Sequence, residues 1–286
     1  MTVPISLSGL PSTPVDALGI GVFDGVHLGH QEIMDLCDGI LTFYPHPDAV
    51  LKKRDAIPRL TTRRELRFFI QTVITLKFTP AIAAMSPDQF LDDVIARHIA
   101  PRTIVVGYDF RFGHKKRGNI HTLIDWAGRH GVRVLEVPPF YRNAQPVKSD
   151  SIRQKFQDDR FNEAVLDLGH PYVVIGKVVQ GEGRGRKLGF PTANLKVPAE
   201  KLLPRDGVYK GYVLRHGKKW PALISIGNQP TFGGRVPVCE VYIRGWTENL
   251  YGSYLTACIQ RKVRDQQKFP SVSALKAQIE VDVTCL

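Results

Sequence analysis

Along the first half of the chain, short apolar runs alternate with stretches whose apolar residues recur at helical spacing. Residues 17–23 read as a strand entering a turn, residues 31–36 as a helix, and residues 40–43 as a second strand. Residues 63–74 are predicted as helix and 81–83 as strand. Ser86, followed by Pro87 and then by Gln89 three positions on, has the form of a helix N-terminus, and Phe90, Leu91, Val94 and Ile95 continue it. Residues 104–106 make a buried strand, Asn119 caps a helix reaching His130, and residues 133–137 return as strand. This alternation implies a mostly parallel sheet with helices on both faces. One connection is short: parallel neighbours need about a dozen or more residues of crossover, and only a stub of helix precedes Ile40.

A last short helix at 161–168 is broken by Gly169-His170-Pro171, and the domain boundary is placed there, giving 1–169 and 170–286. Beyond it the pattern changes to β-branched and aromatic runs at 173–179, 207–214, 220–226 and 238–243, separated by glycine, proline and asparagine turns. That spacing predicts a small antiparallel barrel. Ser271 opens one closing helix, whose Val272, Leu275, Ile279 and Val283 are expected to pack on the barrel. Within the run at 238–243, Glu240 and Tyr242 share one face while Cys239, Val241 and Ile243 share the other.

The length of 286 residues allows two medium domains, each with its own core. An excess of 39 Lys and Arg over 27 Asp and Glu, a formal net charge of +12, favours anionic ligands: nucleotides, nucleic acid or a membrane surface. Charge alone does not choose among them. Cys37, Cys239, Cys258 and Cys285 have no CxxC spacing, which argues for reduced thiols in a cytoplasmic protein and against a disulfide framework or a structural zinc. The N-terminus lacks a basic segment and an apolar core, and nowhere is there an apolar run long enough to span a bilayer. A soluble, unexported protein is expected.

The densest chemistry lies at 181–194, GEGRGRKLGFPTAN. Gly181, Gly183 and Gly185 alternate with charged residues, and Gly189-Phe190-Pro191 turns the chain into Thr192, Ala193 and Asn194. Glycine lets backbone amides approach an anion, Arg184, Arg186 and Lys187 add cationic donors, and Thr192 and Asn194 offer the hard oxygens that Mg²⁺ takes. By itself GxGxG also describes a glycine-rich hairpin on a basic surface. A second dense stretch, GVFDGVHLGH at 21–30, sets His27 and His30 at the start of a helix, where free N–H groups favour phosphate. Imidazoles there can donate to oxygens that gain charge as a phosphoanhydride is cleaved. Residues 107–119, GYDFRFGHKKRGN, follow a strand at the end where open α/β sheets bind ligands. The bare charges Lys115, Lys116 and Arg117 read as a solvated run, and a strand glutamate such as Glu240 ordinarily faces solvent.

These strings together resemble one family. GxGxGxxLGFPTAN, followed by GVYKGYV, IGNQPTFGG, CEVYI, NLYG and RDQQKF, resembles riboflavin kinases, while GVFDGVHLGHQ, TFYPHP at 42–47 and the run DFRFGHKKRGN resemble bacterial FMN adenylyltransferases. The chain is thereby similar to the bifunctional riboflavin kinase and FMN adenylyltransferase (FAD synthetase) family over nearly its whole length. The resemblance implies a Rossmann-like α/β nucleotidyltransferase domain followed by an antiparallel β-barrel kinase domain. It implies ATP as co-substrate, Mg²⁺, and riboflavin, FMN and FAD as substrates or products. In the first domain it implies His27 and His30 as stabilisers of the transition state, with Gly21, Phe23, Asp24 and Gly29 around the triphosphate. Pro45, His46 and Pro47 would lie beside the flavin, and Asp109, Phe110, Arg111, Arg117 and Asn119 would contact ATP or flavin. In the second domain it implies Gly181, Gly183, Gly185, Lys187, Gly189, Pro191 and Tyr209 around ATP, and Thr192 and Asn194 on the metal. Glu240 would be the base for the ribityl 5′-hydroxyl, with Arg264 and Phe269 beside the flavin.

At 148–153 the chain departs from the family's SSTxIR: Lys148 replaces a serine and Asp150 the threonine, while Ser149 and Arg153 remain for ATP. An aspartate there opposes a triphosphate unless Lys148 or Mg²⁺ compensates. With the short crossover, this leaves a chain that is a riboflavin kinase alone as one alternative. A basic nucleic-acid-binding barrel is a second, from another class. The ordered phosphate motifs favour small-molecule substrates, with neither nucleic acid nor membrane expected and oligomeric state left open.

Overall fold

The computed structural model describes residues 4–52, 57–181, 183–228 and 237–286. It divides into two compact units, Met1–Lys148 and Ser149–Leu286.

In the first unit, strands β1 (Leu7–Ser8), β2 (Ala17–Ile20), β3 (Gly39–Tyr44), β4 (Thr72–Lys77), β5 (Thr103–Gly107) and β6 (Arg133–Val137) lie in the order β1-β4-β3-β2-β5-β6. All neighbours are parallel except β1, which runs antiparallel to β4. Alternate strand residues enter two cores: Leu41, Ile74, Ile104 and Val106 pack with Leu91, Val94 and Trp126, whereas Ile40, Val73 and Val105 pack with Phe23, Ile33 and Leu66. Covering on both faces is why these strands read as continuous apolar runs.

The short crossover forms a regular parallel pair. It runs from Gly21 to Asp38, eighteen residues between the end of β2 and the start of β3. Seven of them make helix α1 (Leu28–Met34), and Asp38 closes the return by exchanging two hydrogen bonds of 2.9 Å with the backbone of Ala17. Two other expectations are corrected. Residues 63–74 are not one helix: Thr62 and Glu65 form a capping box on the single turn Arg63–Leu66, and the β-branched run after it becomes β4. Pro80–Ala83 is a helical turn capped by Thr79 rather than a strand. The Ser86–Gln89 capping box is present, followed by a π-type helix at Phe90–Ala96. Helix α2 (Ile120–His130) is capped by Asn119 and ends at Gly131 in the left-handed conformation, and a small hairpin of β7 (Tyr141–Arg142) and β8 (Gln145–Pro146) follows β6.

The second unit begins with helices α3 (Ser149–Gln157) and α4 (Phe161–Leu168) and continues into a barrel. Its strands are β9 (Tyr172–Val179), β10 (Thr192–Lys196), β11 (Gly207–Arg215), β12 (Lys218–Asn228), β13 (Pro237–Ile243) and β14 (Tyr254–Asp265). They close in the order β10-β13-β12-β11-β14-β9, every pair antiparallel. Beyond the four strands expected, β10 and β14 complete the ring. The compact division falls about twenty residues before the expected boundary at Gly169, because α3 and α4 pack on the barrel: Phe161 meets Tyr209 at a ring distance of 5.0 Å, and Phe156 meets Tyr172 at 4.7 Å. The closing helix α5 (Val272–Thr284) is capped by Ser271, but Val272 is 69% exposed and takes no part in packing.

Two candidate ligand sites

In the first unit the sheet order reverses between β2 and β5, and the loops beyond the carboxyl ends of β2 to β5 enclose a cavity of about 770 Å³. Open parallel sheets hold ligands at this switch point. Much of the wall is aromatic, with Phe110 stacked on Phe112 at 5.2 Å and 18° and with Phe43, Phe78 and Phe90 around them. Such a surface suits a flat ring system.

The loop after β2 is tightly contorted. Phe23 (φ 52), Gly25 (φ 95) and Val26 (φ 46) are all left-handed, a state costing about 1–3 kcal/mol for each non-glycine residue. Arg59 and Thr61 hold it in place: the Thr61 N–H donates to Asp24 at 2.9 Å, the Gly25 N–H donates to the Thr61 hydroxyl at 3.1 Å, and the Arg59 guanidinium lies 3.9 Å from the Asp24 carboxylate. Asp24 is therefore a buried anchor of the loop. The turn delivers His27 and His30 as a parallel stack, with ring centroids 3.7 Å apart. His30 lines the cavity with Gly21 and Phe23. Enclosure, and secondarily the charge of His27, hold His30 well below the ordinary imidazole value, so near neutrality it is uncharged. At Gly29 an added Cβ would rest 3.5 Å from the His27 ring, an ordinary contact.

His46 and Pro47 line the wall, as do Asp109, Phe110 and Arg111; Pro45, joined to Tyr44 by a cis peptide bond, does not. Asn119 spends its side-chain oxygen on the Thr122 N–H at 3.1 Å, capping α2, and Arg117 lies off the wall, whereas Lys115 and Lys116 lie on it. Both lysines are exposed, in keeping with the reading of a solvated charge run. Lys148 reaches Asp109 at 3.7 Å and sits over the Tyr108 ring at 5.6 Å. Ser149 and Arg153 lie on α3 in the second unit.

The second site is a cavity of about 400 Å³ in the barrel unit, lined from β10 to β14 and α5. Antiparallel pairing sets Asn194 opposite Glu240, and the Thr192 hydroxyl donates to the Glu240 carboxylate at 3.3 Å. A Cβ at Gly181 would come within 2.2 Å of the Asn194 amide, and one at Gly185 within 2.4 Å of the Phe190 carbonyl and 3.2 Å of the Thr192 hydroxyl. Glycine is thus demanded on both sides of the two oxygens. A hydroxyl, an amide oxygen and a carboxylate fit Mg²⁺, which keeps several waters and takes the rest of its shell from nucleotide phosphates. Among the described residues there is no cluster of three or more His, Cys, Asp or Glu to hold a metal by protein alone. Behind the site, burial and then the charge of Glu240 push the Cys239 thiol up to about 12, leaving it inert.

Gly183 is on the wall; Gly189 (φ 88) and Pro191 shape the turn outside it. The Lys187 side chain, Glu182, and 229–236 of the IGNQPTFGG motif lie outside the described residues. Tyr209, expected at ATP, is fully buried and gives its hydroxyl to the Arg205 carbonyl at 2.5 Å, so its ring supports the barrel against α4. Arg264 and Phe269 are on the wall, with Arg264 stacked over the Phe269 ring at 5.8 Å and bound to Asp282 of α5 by hydrogen bonds of 2.6–3.0 Å. Leu275 and Ile279, expected to pack on the barrel, contribute to the cavity wall.

Residues 11–151 match the family model described as FAD synthetase, and residues 168–285 match the one described as riboflavin kinase. The bifunctional riboflavin kinase/FMN adenylyltransferase of Haemophilus influenzae is 33% identical over 93% of this chain and 92% of its own. That of Escherichia coli is 33% identical over 93% and 90%, and that of Listeria monocytogenes 31% over 93% and 89%. A solved structure from Streptococcus pneumoniae, described as a macrolide-efflux protein, superposes with a TM-score of 0.79 at 29% identity, covering 96% of this chain and 94% of that one. Among the described residues here, no helix is long and apolar enough to cross a membrane.

Proposed function

The chain belongs to the bifunctional riboflavin kinase/FMN adenylyltransferase family, and we propose how its own residues divide the two reactions of flavin cofactor synthesis. The barrel unit phosphorylates riboflavin to FMN. Glu240 takes the proton from the ribityl 5′-hydroxyl, and Thr192 and Asn194 hold Mg²⁺, which when bound neutralises charge on the ATP phosphates. The glycines at 181, 183, 185 and 189 let the backbone close on those phosphates, with Lys187 and Pro191 in the same loop. Phe269 and Arg264, with Leu275 and Ile279, receive the flavin ring. The observation that carries this reading is the Thr192–Glu240 contact across β10 and β13 inside the glycine-bordered pocket.

The α/β unit joins FMN to the AMP part of ATP, releasing pyrophosphate. The aromatic cavity holds the flavin beside His46 and Pro47. His27 and His30 donate hydrogen bonds to the reacting α-phosphate, held there by the strained loop that Asp24 anchors. Supplying riboflavin with Mg-ATP and separating FMN from FAD by chromatography tests both halves. His27→Ala or His30→Ala should cut FAD formation by about 10²-fold or more, as loss of a transition-state donor does, while FMN still forms. Equal loss of both reactions would make the histidines structural. One observation favours a kinase-only reading: Asp150 pairs with Arg153, the arginine that the family resemblance assigns to ATP. FMN accumulating without any FAD would decide for it.

A further inference from the structure

We propose that Asp282 is a positioning residue for riboflavin: its buried carboxylate fixes the plane of the Arg264 guanidinium at the kinase cavity and pins α5 there as a wall for the flavin ring. This rests on the assignment of that cavity to riboflavin phosphorylation. A closing helix is ordinarily held by an apolar stripe. On α5 the one buried residue among those described is an aspartate, Asp282, whereas Val272 and Val281 are exposed. Leu275 and Ile279 are only half-buried and border the cavity, as Asp282 itself does. The helix is therefore tied to β14 by the pair of Asp282 with Arg264, seconded by Lys210 of β11, which donates to the Cys285 carbonyl just beyond it. Leu275 and Ile279 are left to meet whatever fills the cavity.

The pair is built for direction. Arg264 donates through Nε at 3.0 Å to both carboxylate oxygens of Asp282 and through Nη2 at 2.6 Å, while its Nη1 donates to the Asp265 carbonyl at 3.0 Å. The Gln278 amide, one turn back on α5, donates to the same carboxylate at 2.9 Å. A buried pair gains little stability over apolar residues of similar volume, so what this one supplies is a fixed geometry at the cavity wall. A guanidinium carries five N–H groups, and these bonds leave one on each terminal nitrogen for a ligand. Asp282 also balances the charge of Arg264, which is stacked over the Phe269 ring at 5.8 Å. The result is a planar donor surface, neutral as a pair, beside an aromatic ring. It suits an uncharged heterocycle with carbonyl oxygens, as the flavin ring is, rather than an anion.

The test uses the full chain with Asp282→Asn, Arg264→Met and the two combined, and measures FMN formation against riboflavin and against Mg-ATP. FAD formation from supplied FMN is the internal control. Asp282→Asn should raise the KM for riboflavin about 10-fold or more, as for loss of a hydrogen bond to a charged group, with kcat and the KM for Mg-ATP little changed. Because Asp282 acts through Arg264, the combined variant should be no worse for riboflavin than Arg264→Met alone, the non-additivity of two residues in one contact. Asp282→Glu keeps the carboxylate and should recover part of the loss. Additive losses in the combined variant overturn the proposal, as does an unchanged KM for riboflavin, or a fall in kcat with that KM intact. Should Asp282→Asn fail to fold, Arg264→Met with Asp282→Leu replaces the pair by apolar residues and keeps the helix docked, and a wild-type KM for riboflavin in that protein is equally fatal. A wild-type protein that makes no FMN at all overturns the assignment of the cavity, and the proposal with it.

Discussion

The carboxylate of Asp150 is hydrogen-bonded to the guanidinium of Arg153, one helical turn along α3. The side chain that replaces the family threonine therefore engages the retained arginine, while Lys148, which replaces a serine, balances Asp109 instead. Asp150→Thr removes this pairing and should raise kcat/KM for FAD formation. Lys148→Ser alone should lower it, because Asp109 would then face the cavity unbalanced, and the double variant should gain less than Asp150→Thr. No gain from Asp150→Thr would show that the pairing does not limit adenylyl transfer.

Glu240→Gln keeps the shape of the side chain and a hydrogen-bonding partner for Thr192 but removes the base. Turnover to FMN should fall by about 10²–10⁴-fold, with riboflavin and Mg-ATP binding little changed by calorimetry. Thr192→Ala should instead weaken productive Mg-ATP binding. Near-normal turnover in Glu240→Gln would take that residue out of the mechanism.

Phe161 packs edge-on against Tyr209 and Phe156 against Tyr172, so a barrel cut from α3 and α4 exposes apolar faces that the whole unit buries. A fragment beginning at Ser149 should fold and convert riboflavin to FMN. One beginning at His170 should be less stable by several kcal/mol, on the scale of about 3–5 kcal/mol for loss of a buried aromatic ring. Urea denaturation of the two fragments decides, and equal midpoints would favour the boundary at Gly169.

His30 is held below its reference value of 6.5, chiefly by burial. As pH falls, the unfolded chain takes up this proton before the native one does. The stability that goes with neutral His30 is therefore full above about pH 6.5 and lost below it. Thermal melts between pH 8 and pH 5 should show the decline, and His30→Gln should flatten part of it. A variant with the same slope as wild type would place the decline on other groups.

Arg59 is 1% exposed, and its guanidinium nitrogens make no hydrogen bond among the described residues; its charge is balanced by Asp24 at 3.9 Å. Removing one partner of a buried pair typically costs about 3–5 kcal/mol. Arg59→Met should destabilise the first unit on that scale and reduce FAD formation, while kinase turnover at moderate temperature stays near wild type. A stable Arg59→Met protein with full FAD synthesis would mean that the pair does not hold the histidine loop.

The alternation of strand and helix, the caps at Ser86, Asn119 and Ser271 and four barrel strands could be read from local pattern, because each depends on residues within a few positions. Residues 63–74 misled for the same reason. The capping box at Thr62 and Glu65 is a strong local start, but the β-branched Thr72 to Thr75 gain more from lying in the sheet beside β3. Asn119 shows how one residue fits two readings: the motif suggested a ligand contact, and its oxygen caps a helix. The meeting of Thr192 with Glu240, 48 positions apart, depends on strand register and was visible only through family resemblance.

The barrel closes by pairing its first strand with its last, with Val173 opposite Cys258 and Lys177 opposite Tyr254. On the ribosome, the ring therefore has no partner for one side of β9 until β14 has left the exit tunnel. The parallel sheet is complete once β6 emerges and can fold as a unit earlier. In the growing chain the apolar strand β9 must wait for its partner beside an already folded α/β unit. That interval is when the protein is most exposed to misassociation, and synthesis stalled before residue 254 leaves a folded first unit carrying an unclosed barrel.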